Sequence, residues 1–133
     1  MRDSVTVHMK ATPEQVWDLV SDVTRIGEFS PETFEARWTR GSTGPEEGAS
    51  FKGHVKRNGV GPTYWSPCQV TKCVPNEVFE FAVGTDVTES FTLQPMLALR
   101  LYWLLAGWAR GRTNRQGMRT TLERIKGVVE LPS

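Results

Sequence analysis

Apolar and polar residues alternate along most of the chain between residues 34 and 93, and this alternation limits the possible folds more than any other feature. Successive side chains of a β-strand point to opposite faces, so an alternating segment is typical of a strand with one buried face. Several such segments in a row favour an antiparallel sheet, whose strands can be joined by short turns. The predicted strands are residues 4–10, 34–39, 51–56, 63–73, 78–83 and 85–93.

Turn residues indicate where several of these strands end. Asn58-Gly59 is typical of a tight hairpin turn between the third and fourth strands, and Pro75-Asn76 predicts the next turn. Pro67 lies within the fourth strand. Because proline has no N–H to donate to a sheet, we expect an irregularity at this residue.

Two segments have the 3.6-residue period of an amphipathic helix. Thr12, Pro13 and Gln15 form a capping box with proline at the first helical position, which predicts a helix beginning at Pro13. Residues 24–33 predict a short, irregular helical turn. After Pro95 the helical period returns and predicts one long C-terminal helix, with an apolar stripe of Leu97, Leu101, Leu104, Trp108, Met118, Leu122, Ile125 and Val129.

The stripe of the predicted long helix is interrupted near its middle. The positions that would complete it are Gly111, which has no side chain, and Arg115, which is permanently charged. An unpaired charge within a packed core is costly, so either the helix breaks here or it runs past a cavity. The order of elements, a strand, a helix, several strands and a long helix, predicts an α+β fold with an antiparallel sheet.

Composition argues against several classes of protein. A chain of 133 residues with 38% apolar residues predicts a single domain, residues 1–133. Its 16 basic and 15 acidic residues give a net charge of +1, so we expect no nucleic-acid partner. Cys68 and Cys73, with only two histidines in the chain, are too few for a typical zinc site, and we expect neither a metal nor an organic cofactor. Their odd spacing places the two thiols on opposite faces of one strand, which argues against a disulfide.

The N-terminal segment and the most apolar run of the chain predict where the protein is located. Alternating residues begin at Val5, without the basic and then apolar stretch of a signal peptide. The most apolar run, residues 96–109, contains Arg100 and is shorter than the roughly 20 residues that cross a bilayer. We therefore expect a cytoplasmic protein without a membrane span.

The same run is apolar on a second side as well, at Leu99, Trp103 and Ala106. That side either packs against the first helix or forms a patch for a dimer partner or for transient contact with a membrane. We accordingly expect a monomer or a homodimer.

Five segments together resemble a known family: ATPEQVW at 11–17, SDVTRI at 21–26, SPE at 30–32, VTESF at 87–91 and GMRTTLER at 117–124. They resemble the START-like (SRPBCC) superfamily, in particular its polyketide cyclase/dehydrase and lipid transport branch, over nearly the whole chain. The resemblance implies a helix-grip fold, in which a curved antiparallel sheet wraps around a long C-terminal helix and short helices lie near the N-terminus. It also implies an internal cavity for lipids, polyketides, hormones or similar apolar ligands.

The resemblance leads us to expect one more strand than the alternation predicts. Relatives usually have a strand between those predicted at residues 78–83 and 85–93, where this chain has only Gly84. Either the strand is lost and Gly84-Thr85 is a two-residue turn, or residues are missing from the sequence at this point. We favour missing residues, because the loss of an inner strand would leave strand edges unpaired.

Candidate ligand-binding residues follow from the predicted inner faces. Glu89 is in phase with Val87 and Phe91, so its carboxylate is predicted to meet Arg115 in the interior. The pair is either a polar anchor for a ligand or a structural ion pair. Aromatic residues on the strands either fill the core or contact a ligand. The complete candidate set is Trp38, Phe51, Val55, Trp65, Phe81, Glu89, Phe91, Gly111, Arg115 and Met118.

Three functions stay open at this level. His8 and His54 lie on the polar faces of their strands, and no nucleophile and base form a recognisable arrangement, so we predict no catalytic residue. This favours a protein that binds or carries a lipid-like or polyketide-like molecule. The alternatives are a polyketide cyclase or aromatase, and an interaction protein of a toxin-antitoxin pair, because the family includes both enzymes and binding proteins.

Overall fold

A computed structural model describes residues 2–30, 33–56, 62–84, 87–94, 98–105 and 115–130, and the side chains of residues 4–30, 33–56, 62–84, 88–93 and 118–130. In chain order the elements are β1 Arg2–His8, α1 Pro13–Val20, a 3₁₀ helix Val23–Glu28, β2 Thr33–Thr39, β3 Ser50–Val55, β4 Tyr64–Val74, β5 Val78–Val83, β6 Val87–Gln94, β7 Ala98–Leu105 and α2 Arg115–Val129. The predicted α+β class is confirmed.

Seven strands form one antiparallel sheet in the order β1-β7-β6-β5-β4-β3-β2. The strands β1 and β2 are its edges, and β7 lies between β1 and β6. Leu101 of β7 is paired with Val5 on one side and with Phe91 on the other. All the strands predicted from alternation are therefore present, within a few residues of the predicted bounds.

The N-terminal helices form as the local sequence predicts. The backbone N–H of Gln15 donates to Thr12 Oγ1 at 3.2 Å, and the backbone N–H of Thr12 donates to Gln15 Oε1 at 2.9 Å, which completes the predicted capping box. The helix α1 buries Val16, Trp17, Leu19 and Val20. These helices and α2 cover one face of the sheet, which we call the inner face.

The core lies between the inner face and α2. Phe79 and Phe91 of the sheet and Leu122 and Ile125 of α2 are at most 2% exposed. Trp17 of α1 meets Phe79 edge to face, with 6.1 Å between ring centroids. This part of the interior is closely filled, and it attaches α2 and α1 to the sheet.

The prediction of a single long helix after Pro95 is wrong. Residues 98–105 form β7, and α2 begins only at Arg115. Leu101 and Leu104 therefore belong to a strand, whereas Leu97, Trp108 and Gly111 lie outside the described residues. The physical reason is that almost every residue of this run is apolar, so that it fits both helical and strand periods, and pairing with β1 and β6 determines the outcome.

The expectation of missing residues at Gly84 is wrong as well. The strands β5 and β6 pair directly, from Val78 opposite Thr92 to Val83 opposite Val87, which leaves no place for a strand between them. Gly84 follows with a φ of +56°, and its N–H donates to the carbonyl of Pro67 at 2.9 Å. The additional strand that the resemblance implied is β7.

The irregularity of β4 lies further along than predicted. Pro67 pairs in regular register with Lys52, and the register shift in β4 falls between Val70 and Lys72. This bulge changes which residues face inward. Cys68 pairs with Val83 and Cys73 pairs with Phe79, so both free thiols are on the inner face, and the predicted opposite orientation is wrong.

Candidate functional site

A carboxylate lies on the inner face of the sheet among apolar residues. Glu89 of β6 is directly opposite Phe81 of β5, and Phe81 is in turn opposite Val70 of β4. Phe81 and Val70 are buried, whereas Glu89 is half-buried. Alternation along β6 therefore directs an acidic group toward the interior, as the sequence predicts, and it stays partly accessible.

Cys68 is a second titratable group on this face, and its thiol is affected by the charge of Glu89. Burial, and to a smaller extent the negative charge of Glu89, raises the pKa of the Cys68 thiol to about 12. The side chain lies opposite Phe51 and Val83 and contacts the carbonyl of Ser66 at 3.5 Å. The thiol is therefore protonated at neutral pH and is a weak nucleophile, because thiolates are the reactive form.

Aromatic rings continue the apolar wall from Phe81 toward the β2 edge of the sheet. The ring centroids of Phe51 and Phe81 are 5.2 Å apart, and those of Trp38 and Phe51 are 5.8 Å apart. Phe51 is buried, whereas Trp38 is half-buried. Trp38, Phe51, Phe81 and Glu89 thus line one continuous part of the inner face.

The remaining candidates fall into three groups. Val55, Phe91 and Met118 are buried in the core, Met118 on the side of α2 that faces the sheet. Trp65 does not lie on the predicted inner face. It pairs with His54 on the outer face and is 38% exposed, because residues of β4 before the bulge face inward at even positions. Gly111 and the side chain of Arg115 lie outside the described residues, so the predicted meeting of Arg115 with Glu89 stays a prediction.

A cleft lies outside this wall, between β1 and α2. It has a volume of about 560 Å³ and is lined by Thr6, Val7, His8, Arg119, Glu123, Lys126, Gly127 and Glu130. Glu130 closes one end, since its Oε2 accepts hydrogen bonds from the Lys10 backbone N–H at 2.7 Å and from Lys126 Nζ. These bonds lower the pKa of Glu130, the bond from Lys126 most of all. The sequence did not predict this cleft, because it is formed between residues over 100 positions apart.

Neither a metal centre nor a membrane span is found in the part of the chain that the structure describes. Within those residues, no group of three or more His, Cys, Asp or Glu is placed to hold a metal ion. Of the described helices, none is both long and apolar enough to cross a bilayer.

Comparison with known proteins identifies the fold and the family. Similar solved structures include the major latex-like protein 151 of Panax ginseng (TM-score 0.77, 8% identity, 99% of this chain and 98% of that chain). A protein of Chromobacterium violaceum has a TM-score of 0.76, 16% identity and 99% coverage of both chains. The AHSA1-like protein of Aeromonas hydrophila has a TM-score of 0.69 and 18% identity over 98% of this chain and 92% of that chain. These likenesses confirm the helix-grip fold.

No curated protein matches the sequence. The family model described as polyketide cyclase / dehydrase and lipid transport, in contrast, matches residues 2–130. The match covers every described element from β1 to α2, and it agrees with the START-like resemblance of the sequence motifs. The chain therefore belongs to the polyketide cyclase/dehydrase and lipid transport family.

Proposed function

We propose that this chain binds or carries a hydrophobic small molecule, lipid-like or polyketide-like, between the inner face of its sheet and α2. It would do so in the cytoplasm as a single START-like domain, residues 1–133. The observation that supports the proposal most directly is the position of Glu89, a half-buried carboxylate within an apolar wall. Apolar pockets with a few placed polar groups are typical of small-molecule sites.

Side chains of the inner face are less buried along this wall than in the core. This leaves apolar surface that a ligand could cover. Phe79 and Phe91, opposite the described part of α2, are fully packed. Trp38, Val83 and Glu89 are only half-buried although they share the same face. An apolar ligand covering them would remove further apolar surface from water, which is favourable at roughly 25 cal/mol per Å².

Glu89 would orient the ligand, because a carboxylate accepts hydrogen bonds from a hydroxyl or another donor. In an apolar surrounding such a bond is strong and its loss is costly. A ligand with a hydroxyl near an extended apolar skeleton is therefore the expected class.

Binding is favoured over catalysis by the chemistry of the neighbouring groups. The Cys68 thiol is held protonated by burial, which opposes nucleophilic attack. His54 lies on the outer face and His8 on the edge strand β1, where it is exposed, so both imidazoles lie away from Glu89. A general base beside an activated nucleophile is thus not assembled among the described groups.

The test is native mass spectrometry of the protein purified under mild conditions, followed by titration with the small molecule that is retained. The variant Glu89→Gln should bind it about ten-fold more weakly, since the hydrogen bond from the ligand to a charged carboxylate becomes a weaker one to a neutral amide. Glu80→Gln is the matched control, because Glu80 is on the outer face of β5 and accepts a hydrogen bond from Thr71 at 2.9 Å. Both variants should keep the melting temperature of the wild type within a few degrees.

Two results would contradict the proposal. One is a native protein that retains no small molecule and binds neither a long-chain alcohol nor a polycyclic phenol in titration. The other is an affinity for the retained molecule that is equal in the wild type, Glu89→Gln and Glu80→Gln.

A further inference from the structure

Exposed aromatic side chains are concentrated at one end of the outer face. Among the described residues, the large apolar side chains with the highest exposure are Phe34 at 47%, Tyr64 at 39%, Trp65 at 38% and Val74 at 36%. Phe34 and Trp65 lie on the outer face near the beginnings of β2 and β4, beside His54 of β3, whereas Tyr64 is opposite Val55 on the inner face. We call Phe34, His54 and Trp65 the aromatic patch.

The patch is ordered by direct ring contacts. His54 stacks on Trp65 with 4.3 Å between centroids and an interplanar angle of 14°. Phe34 meets His54 from the neighbouring strand, also at 4.3 Å and at an angle of 43°. Glu35 Oε1 lies 2.8 Å from His54 Nδ1, which fixes the imidazole between the two rings. The rings therefore keep their exposed edges in a fixed arrangement without a partner having to order them.

Basic side chains accompany these rings. Lys52 Nζ lies 4.6 Å from the ring centroid of Trp65, and Arg37 Cζ lies 5.8 Å from it. Lys56 follows β3 and is exposed. The acidic residue of the cluster, Glu35, is bonded to His54, so the surface around Trp65 carries an excess of positive charge.

We propose that the aromatic patch docks on the surface of a bilayer that contains anionic lipid. Trp and Tyr are enriched at membrane interfaces, where an apolar ring body and a polar edge are both accommodated. Lys and Arg near such a surface are attracted to acidic headgroups. Aromatic edges with Arg37 and Lys52 beside them combine both contributions. The inference goes beyond the proposed function and does not depend on it, because the patch is on the outer face.

Single-stranded nucleic acid is the other partner that uses aromatic residues and cations, but the geometry fits it less well. Bases stack on open ring faces. Here the stacked His54 occupies a face of Trp65, and Lys52 and Arg37 contact the same ring. The edges of the rings are thus better placed for contact than their faces.

The experiment measures sedimentation of the full chain with vesicles, without any added cavity ligand. Vesicles of phosphatidylcholine with about 30% phosphatidylserine should bind the protein, and pure phosphatidylcholine vesicles should bind it at least about ten-fold more weakly. Lys52→Glu should weaken binding about 20-fold, since each basic charge near an anionic surface contributes roughly a five-fold factor.

Two aromatic substitutions complete the design. Phe34→Thr with Trp65→Thr should weaken binding about ten-fold or more, because the inserted apolar area is lost. The matched control Val74→Thr removes an equally exposed apolar side chain elsewhere on β4 and should bind as the wild type does. In case the double variant unfolds, Trp65→Phe keeps the ring. Quenching of tryptophan fluorescence by brominated lipid should then decrease relative to the wild type.

The proposal is overturned if the wild type binds neither kind of vesicle, or if Lys52→Glu and the double variant bind as tightly as Val74→Thr. It is also overturned if the protein does not bind vesicles but binds a fluorescent oligothymidine, and if substitution of Trp65 abolishes that binding. None of these results bears on retention of a small molecule in the interior, so a failure here is distinct from a failure of the proposed function.

Discussion

Gly27 is the position where a single methyl group should be most damaging. It belongs to the 3₁₀ helix Val23–Glu28, which packs against the start of β2. A Cβ at Gly27 would lie 2.2 Å from the backbone oxygen of Phe34 and 2.9 Å from its carbonyl carbon. Both atoms belong to the backbone, so they cannot rotate away as the end of a side chain could. We predict that Gly27→Ala destabilises the protein strongly.

The size of the destabilisation follows from how far the helix and β2 must move apart to accommodate the added Cβ. Since Cβ atoms essentially never approach a neighbour closer than 3.0 Å, the helix and β2 must separate by about 0.8 Å. The same helix places Ile26 in the core and is followed by the buried Phe29, whose ring centroid lies 6.0 Å from that of Phe91. Separation loosens this packing, and overpacking of this kind with partial loss of core contacts costs about 2–4 kcal/mol.

Urea denaturation followed by tryptophan fluorescence measures this effect as the free energy of unfolding. Gly127→Ala is the matched control, because Gly127 lies within α2 and an added Cβ would have no neighbour within 4 Å. Alanine is a better helix former than glycine, so the free energy of unfolding of this control should be about 0.5–1 kcal/mol higher than that of the wild type. If the free energy of unfolding of Gly27→Ala lies within about 0.5 kcal/mol of the wild-type value, the close approach of the helix to β2 is refuted.

The remaining predictions concern the core, the helix cap and the thiol of Cys68. Leu122→Ala should lower the free energy of unfolding by about 2–5 kcal/mol in the same urea assay, since Leu122 is 0% exposed. Thr12→Ala should lower it by about 1 kcal/mol, because the capping box is lost. Ellman's reagent should react with Cys68 in the native protein far more slowly than in denaturant. The pKa of Cys68 is raised from 9.0 to about 12, so the free energy of unfolding should fall between those pH values by up to about 1.4 kcal/mol per pH unit. Cys68→Ala should reduce this slope.

Elements set by local chemistry were predictable from the sequence. The helix α1 begins at Pro13 because the capping box requires only residues 12–15. The strand β5 has the predicted bounds, Val78–Val83, since half-buried and buried residues alternate from Val78 to Ala82. Glu89 faces inward for the same reason. In each case the deciding interactions lie within one turn, one strand or one pair of consecutive strands.

Trp65 shows where alternation fails. Its inward orientation would follow if β4 kept one phase along its whole length. The bulge between Val70 and Lys72 breaks that phase, so that Cys68 and Cys73 face inward on either side of it while Trp65 faces outward. A bulge adds one residue to one strand and leaves a weak mark in the sequence. Knowledge of the partner strand is needed to locate it.

The two largest errors of the sequence-based fold, a long helix after Pro95 and a missing strand at Gly84, have a single cause. Once residues 98–105 are recognised as β7, the strand count is complete and the β5–β6 turn needs nothing added. A segment that is apolar on both faces has neither a helical nor a strand period in its sequence. Only pairing with its two neighbouring strands in the sheet defines it as a strand.

The correction also changes what supports a ligand site. A glycine and an arginine in the middle of a helix would have indicated a cavity, but α2 begins at Arg115 and Gly111 precedes it, so that reason no longer holds. The position of Glu89 does not depend on the helix. It follows from pairing with Phe81 within the sheet, and pairing by one residue more or less would turn the carboxylate to the outer face. The ligand proposal therefore depends on the register of β5 and β6, which the aromatic pair of Phe79 and Phe91, directly opposite each other in the core, holds in place.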